Sequence, residues 1–400
     1  MAGQRLWYID ALRASMMILG VFLHAAGVYG VGTSFPVRDP SGTRAFDVLV
    51  EAASSFRMPA FFLLAGLFWT YALGSRSLRH VLLRRIILVG LPFLTLALTL
   101  QPLQHLVLLS HQRAGQGFDA ATFWHSFVEP GVVGSNAFTG RGFIGHLWFL
   151  ISLLLYYLLA AAALPLLRRL DDAAPRDLVG PVLQHKWLCA LLAGGAMIVL
   201  RAALRHGAGL HPDFANIVVY LPYFAAGAVA FSRPERFAAL RRLGPLDLVL
   251  WPLAALVVFH PALKTAVHGS AVLLLQTYFA LMAAVVLLRA FQAMLDRPWP
   301  LLQRLVDASY SIYLFHYLCV VCVALALLPY PGLPAGLKFG LAVAVGVGLP
   351  YALHHGVLAR WPLLKLLFNG RMEPGKRRQG AASRERIIPP ALDGSPSPRP

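Results

Sequence analysis

The sequence predicts an all-α membrane protein: a polytopic transmembrane helix bundle of about ten spans with both termini cytoplasmic. Three observations carry that reading. Of 400 residues, 58% are hydrophobic and 13% are charged, with a mean hydropathy of +0.65. Such a balance lies far from soluble domains and among polytopic membrane proteins. The apolar residues also fall into runs about as long as a bilayer is thick. Lys and Arg, finally, concentrate in alternate connections between those runs.

The first run, 8–31, is too long for a cleaved signal peptide and carries Asp10 and Arg13 too deep for one. It is expected to remain as a span. The next runs cover 47–73, 85–109, 145–167, 187–205 and 214–232. The seventh, 246–261, is short and interrupted by Pro252. Runs at 271–292, 307–328 and 336–359 complete the set, the last after the turn-forming Pro329-Tyr-Pro-Gly-Leu-Pro334.

Charge sets the orientation. Arg76, Arg79, Arg84 and Arg85 follow the second run; Arg168, Arg169, Arg176 and Lys186 follow the fourth. Arg233, Arg236, Arg241 and Arg242 follow the sixth, and Arg289, Arg297 and Arg304 the eighth, whereas 329–335 has no Lys or Arg. The positive-inside bias then places both termini in the cytoplasm. It also reads the net charge of +18 as a cytoplasmic face against the bilayer, with no call for nucleic acid.

Residues 1–370 form one membrane domain with no soluble domain and no internal repeat. The basic segment 371–400 lacks apolar periodicity and reads as a disordered cytoplasmic tail. The Gly-rich connection 110–144, with Trp124, His125, Glu129, Asn136 and Arg141, is a candidate for external substrate contact. Three cysteines make no disulfide framework, and Cys319 and Cys322 read as small buried hydrophobes. His354-His355 points two ways on a helix, and no histidine spacing matches a zinc site, so no metal is expected. Nucleophile-elbow, phosphate-loop and dinucleotide fingerprints are absent from the sequence.

The chemistry sits on residues that are expensive in a membrane. Arg13 and His24 are eleven positions apart, about three turns plus 20°, so they share one stripe of a helix ~16 Å long. Asp10, one turn from Arg13, is placed to pair with it. The second run enters from the outside as Glu51-Ala-Ala-Ser-Ser55-Phe-Arg57. Arg57 falls near mid-membrane, where an unpaired cation costs at least ~2.5–3.5 kcal/mol, so it must face the bundle interior. Glu51 falls at the depth of His24, where a carboxylate would hold a general-base histidine's tautomer. His146 and Trp148 open the fourth run, and Ser309, Tyr313 and His316 share one face of the ninth.

These residues carry a family resemblance. Arg13-x10-His24 behind Tyr8-Ile-Asp-Ala-Leu resembles the signature of the acyltransferase 3 family of integral-membrane acyltransferases. The chain is more specifically similar to the glucan-biosynthesis branch of that family. Ser55-Phe-Arg-Met-Pro-Ala-Phe-Phe, His146-Leu-Trp-Phe-Leu, Tyr220-Leu-Pro-Tyr-Phe-Ala-Ala-Gly-Ala, Ser309-Tyr-Ser-Ile-Tyr-Leu-Phe-His and Trp361-Pro-Leu-Leu-Lys-Leu-Leu-Phe-Asn-Gly carry that likeness in order along the chain.

The resemblance implies a multi-pass enzyme of a bacterial inner membrane that moves an acyl group, succinyl foremost, from cytoplasmic acyl-CoA to hydroxyls of osmoregulated periplasmic glucans. No permanently bound cofactor is implied, since acyl-CoA, as succinyl-CoA or acetyl-CoA, is a substrate. On this reading His24 is the general base with Glu51 as its partner, and Arg57 stabilises the oxyanion. Asp10, Arg13, Ser55, Arg84, Arg85, His146, Trp148, Ser309, Tyr313 and His316 bind substrates. An acyl-histidine relay uses the same residues. The rival readings are O-acetyl transfer to lipopolysaccharide or another surface glycan, and a polysaccharide transporter or flippase.

Overall fold

The computed structural model describes residues 6–74, 76–113, 116–128, 144–173, 177–203 and 219–371, which are helical and contain no β-strand. Helices α1 (Trp7–Tyr29), α2 (Arg44–Leu73), α3 (Leu78–Leu98) and α4 (Leu100–Gln112) are followed by the short α5 (Ala120–Val128). A 3-10 turn, Gly145–Leu147, leads into α6 (Trp148–Ala173), then α7 (Val179–Gln184) and α8 (Lys186–Ala202). The second half holds α9 (Leu221–Ala230), α10 (Pro234–Arg241), α11 (Pro245–Phe259), α12 (Pro261–Ala266) and α13 (Gly269–Leu295). It closes with α14 (Pro300–Leu327), α15 (Ala335–Leu353), a π turn His354–Leu358 and α16 (Pro362–Asn369). Proline opens five of these helices (α10, α11, α12, α14 and α16). Its fixed φ suits the first helical position, and its missing N–H would have no partner there.

Seven helices of the described residues are long and apolar enough to cross a membrane, or eight if the α10–α11 pair, bent by 58°, is one span. The expected third run divides at Thr99 into α3 and α4. The expected fifth and sixth runs appear as α8, of 17 residues, and α9, of 10 residues. Residues 204–218 between those two lie outside the described residues, as do 129–143 of the long connection and the tail 372–400.

Helix α1 is the hub and packs against α2, α13, α14 and α15. In its most apolar stretch 72% of residues are buried, against 22% in the equivalent stretch at Ala335–Leu358. That contrast separates the central helix from one that faces outward. The centre therefore tolerates polar groups that the rim does not.

Close approach of backbones builds the wall beside it. A Cβ at Gly66 of α2 would meet the Phe224 carbonyl oxygen, and one at Gly227 of α9 would meet the Leu63 carbonyl oxygen. Thr70 Oγ1 crosses the same contact to the Ala228 carbonyl at 2.7 Å. The reciprocal glycines let α9 lie on α2, as small residues do between membrane helices. Phe62, Phe149, Tyr156 and Tyr220 then fill the space around the contact.

Where α6, α7 and α10 meet, buried cations are fully engaged. Arg236 joins Asp171 and Asp177, the latter at 2.8 Å, and also Ser232. Lys186 donates to the carbonyls of Gln184 (2.9 Å), Ala239 and Arg242. One expectation is corrected here. Cys322 is exposed and Cys319 half-buried, because they lie off the buried stripe of α14 that holds His316, Tyr317, Val320 and Ala324.

A methyl group at Gly227 has no space. Gly227→Ala is expected to lose about 1–3 kcal/mol of stability, read as a lower thermal midpoint of the detergent-solubilised protein. Gly340→Ala, where a Cβ meets nothing within 4 Å, is expected to leave that midpoint unchanged.

Candidate functional site

Four elements bring a polar centre together against the apolar interior. Helix α1 supplies His24, 7% exposed, and the 3-10 turn before α6 supplies His146, 3% exposed. Helix α14 supplies His316, 0% exposed, and α2 supplies Arg57, 9% exposed. Ring centroids lie 5.3 Å apart for His24 and His316 and 5.8 Å for His146 and His316. Tyr317 fills the angle between them, edge-on to His24 at 5.0 Å and stacked on His146 at 5.2 Å. Gly145 makes the turn possible: its φ of +45° suits a residue without Cβ and delivers His146 inward.

Hydrogen bonds fix the tautomers of two rings. His316 Nδ1 lies 2.6 Å from the Tyr313 carbonyl and His146 Nε2 lies 3.3 Å from the Leu314 carbonyl. A carbonyl only accepts, so those nitrogens carry hydrogen and the opposite ones do not. The opposite nitrogens, His316 Nε2 and His146 Nδ1, are buried with no hydrogen-bond partner. Tyr313 Oη donates to the His146 carbonyl at 2.7 Å, which pins the start of α6 to α14.

Arg57 enters through a gap in α1. A Cβ at Gly20 would lie 2.5 Å from Arg57 Nη1 and 3.9 Å from His316 Nε2. The missing side chain thus makes a niche one helical turn from His24. Arg57 makes no hydrogen bond or ion pair among the described residues, and its Nε is buried without a partner. Its electrostatic neighbours are the phenols of Tyr313 and Tyr220. Lys186, Arg236 and Lys338, also buried, all have acceptors.

The Arg13 end is also cationic. Arg13 pairs with Asp10 at 3.8 Å and lies over the Phe68 ring at 5.4 Å. Arg85 donates to the Phe68 carbonyl at 2.9 Å and lies over Tyr157. Arg85 and Arg371 both act electrostatically on Arg13. Arg84 is exposed on α3.

The other end is covered by the connection 30–43. Phe35, 2% exposed, sits 6.1 Å from the His24 ring and 5.5 Å from Tyr317. Asp39 holds the connection in place through Lys338 of α15 at 2.7 Å, with side chains 1% and 0% exposed. Asp39 also accepts from the backbone and hydroxyl of Ser41. Burial pushes the Asp39 carboxyl up, but the bonds from Lys338 and Ser41 outweigh it and hold it below its ordinary value.

Not every expected residue arrives at this centre. Glu51, expected beside His24, is ion-paired with Lys264 of α12 at 2.9 Å, with side chains 44% and 39% exposed. The groups packed around His24 are instead His316, Tyr317 and Phe35. Ser55 Oγ turns back to the Ala52 carbonyl and Ser309 Oγ to the Val306 carbonyl. Trp148 packs on Tyr220. The sequence reading missed Gly20, Phe35, Tyr317 and the Asp39–Lys338 pair. A lone lysine inside an apolar run, after a connection free of basic residues, was the available signal for the last of these. Among the described residues no group of three His, Cys, Asp or Glu side chains is arranged to hold a metal.

Residues 6–355 match the family model described as an acyltransferase domain. "Glucans biosynthesis protein C" of Salmonella typhi is 26% identical over 391 residues, covering 94% of this chain and 98% of that protein. The protein of the same name from Salmonella typhimurium is 26% identical over 390 residues, covering 94% and 97%. No solved structure matches.

The buried Asp39–Lys338 pair gives a pH prediction. A carboxyl held low in the folded state stabilises fully above its unfolded value of ~4, and that contribution fades as pH falls through the folded value. Asp39→Asn leaves Lys338 buried and unpaired, which costs about 3–5 kcal/mol. Thermal melts across pH are expected to show the loss at neutral pH, with the gap to wild type narrowing in acid.

Proposed function

Since the chain belongs to the acyltransferase family whose model spans residues 6–355, we propose that it moves an acyl group, succinyl foremost, from acyl-CoA to hydroxyls of periplasmic glucans. The observation that carries the reading is the buried three-histidine centre on the stripe that leads from Arg13. The curated relatives named for glucan biosynthesis support the acceptor class. The bias of basic residues supports a cytoplasmic Arg13 end and cytoplasmic termini. The enzyme would then lie in a bacterial inner membrane with its donor on one side and acceptor on the other.

The phosphates of acyl-CoA are drawn to Arg13, Arg85 and exposed Arg84, whose guanidinium forks suit them. His24 takes the proton of the acceptor hydroxyl as its oxygen attacks the thioester carbonyl. The tetrahedral intermediate collapses, the carbon–sulfur bond breaks, and the departing thiolate recovers the proton from His24. The positive charge of Arg57 offsets negative charge brought into the centre. His316 and Tyr317 hold the His24 ring by packing, a task the sequence reading gave to Glu51. The dry surroundings exclude water that would otherwise hydrolyse the thioester.

His24→Ala is expected to lower transfer by on the order of 10²–10⁴-fold, with the protein still folded. The measurement is the mass of the glucan after incubation with full-length protein in liposomes and succinyl-CoA. Transfer at the wild-type rate would remove His24 from the chemistry. Arg13→Lys is expected to raise KM for the donor more than it lowers kcat, because a point charge replaces a bidentate fork. An unchanged KM would give Arg13 a structural role.

A further inference from the structure

Four Lys or Arg side chains are buried among the described residues, and three have acceptors. Arg57 alone has none, although it lies where an uncompensated cation is most expensive. A second orphan, His316 Nε2, fronts the same niche at Gly20. Arg57 therefore lacks an acceptor, whereas His316 Nε2, which carries no hydrogen, lacks a donor. A carboxylate supplies the missing acceptor, because it takes the guanidinium N–H groups.

We propose that Arg57, seated in the gap at Gly20, forms a carboxylate subsite that selects a dicarboxylic acyl donor over acetyl. The inference rests on the acyl-transfer reading above and adds to it the residue that chooses the acyl group. Length supports it. Gly20 and His24 are separated by about 6 Å along α1. The two carbonyl carbons of a succinyl group are three carbon–carbon bonds apart, about 4 Å when extended. Gly20 and His24 share one face of α1, so a succinyl group with its carboxylate on Arg57 brings its thioester carbonyl toward the level of His24. An acetyl group has no carboxylate to offer the guanidinium, so it forgoes that pair.

The test compares succinyl-CoA and acetyl-CoA as donors to the glucan, using the full-length protein in liposomes. Wild type is expected to prefer succinyl-CoA. Arg57→Gln is expected to lower the ratio of succinyl to acetyl transfer by about 10- to 100-fold. Arg57→Lys should recover part of the succinyl rate, since charge returns without the fork. Should Arg57→Gln fail to fold, Gly20→Ala takes its place, because its Cβ would displace Nη1 with the guanidinium intact; the same selective loss is expected. An equal loss of both donors would assign the guanidinium to the reacting carbonyl and overturn the subsite. Wild-type preference for acetyl-CoA would overturn it too, leaving acyl transfer standing. Transfer from neither donor would end the acyl-transfer reading and the subsite together.

Discussion

The structure turns on one guanidinium held in the middle of an apolar bundle against a glycine. A buried cation without a counter-charge is among the least favourable things a membrane helix can carry. Arg57 is kept in place by what surrounds it rather than by what bonds it. Gly20 leaves room for Nη1, the phenols of Tyr313 and Tyr220 lie near, and α2 is fixed by its backbone contact with α9 at Gly66 and Gly227. Because α2 cannot slide on α9 without overlap of main-chain atoms, the depth of Arg57 relative to His24 is set by packing.

Rigidity of the same kind holds the histidines. His146 and His316 come from different elements, and each is tied by a bond that leaves its other ring nitrogen free of one. Tyr313 joins the His146 carbonyl, His146 joins the Leu314 carbonyl, and His316 joins the Tyr313 carbonyl. The bonds close a short circuit between the start of α6 and the middle of α14. Any shift of one helix therefore breaks a buried hydrogen bond, at about 1–3 kcal/mol for each group left unmade. A centre held this way presents groups in fixed geometry, as catalysis by preorganised charge requires.

Much of this was legible in the sequence, and the limits have physical causes. Helical spacing placed Asp10 beside Arg13, and the structure pairs them at 3.8 Å. Depth along the runs placed Arg57 in the interior, where burial confirms it. The same depth argument placed Glu51 with His24 and failed, because depth gives height in the bilayer but not azimuth around the bundle. Lys264 on the short α12, which runs between two longer helices, reaches Glu51 first. Run length also overstated regularity. A break at Thr99 divides the run 85–109, which composition reads as continuous. Hydropathy counts apolar residues and is blind to a turn made of them.

The connection 30–43 shows what pattern reading misses most. It is rich in Gly and Pro, yet Phe35 and Val37 are buried as deeply as core residues. A loop can be drawn into the interior only if its backbone finds partners. Here Asp39 N–H reaches the Val28 carbonyl, Thr43 N–H reaches the Tyr29 carbonyl, and the Asp47 carboxylate accepts from Val31 and Gly32. With those groups satisfied, the Asp39–Lys338 pair anchors the segment to a helix 299 residues away in sequence. The covering of His24 therefore depends on charge as much as on apolar contact. Loss of either partner would leave the other buried and unpaired, and the segment would lose the tie that keeps Phe35 against the ring.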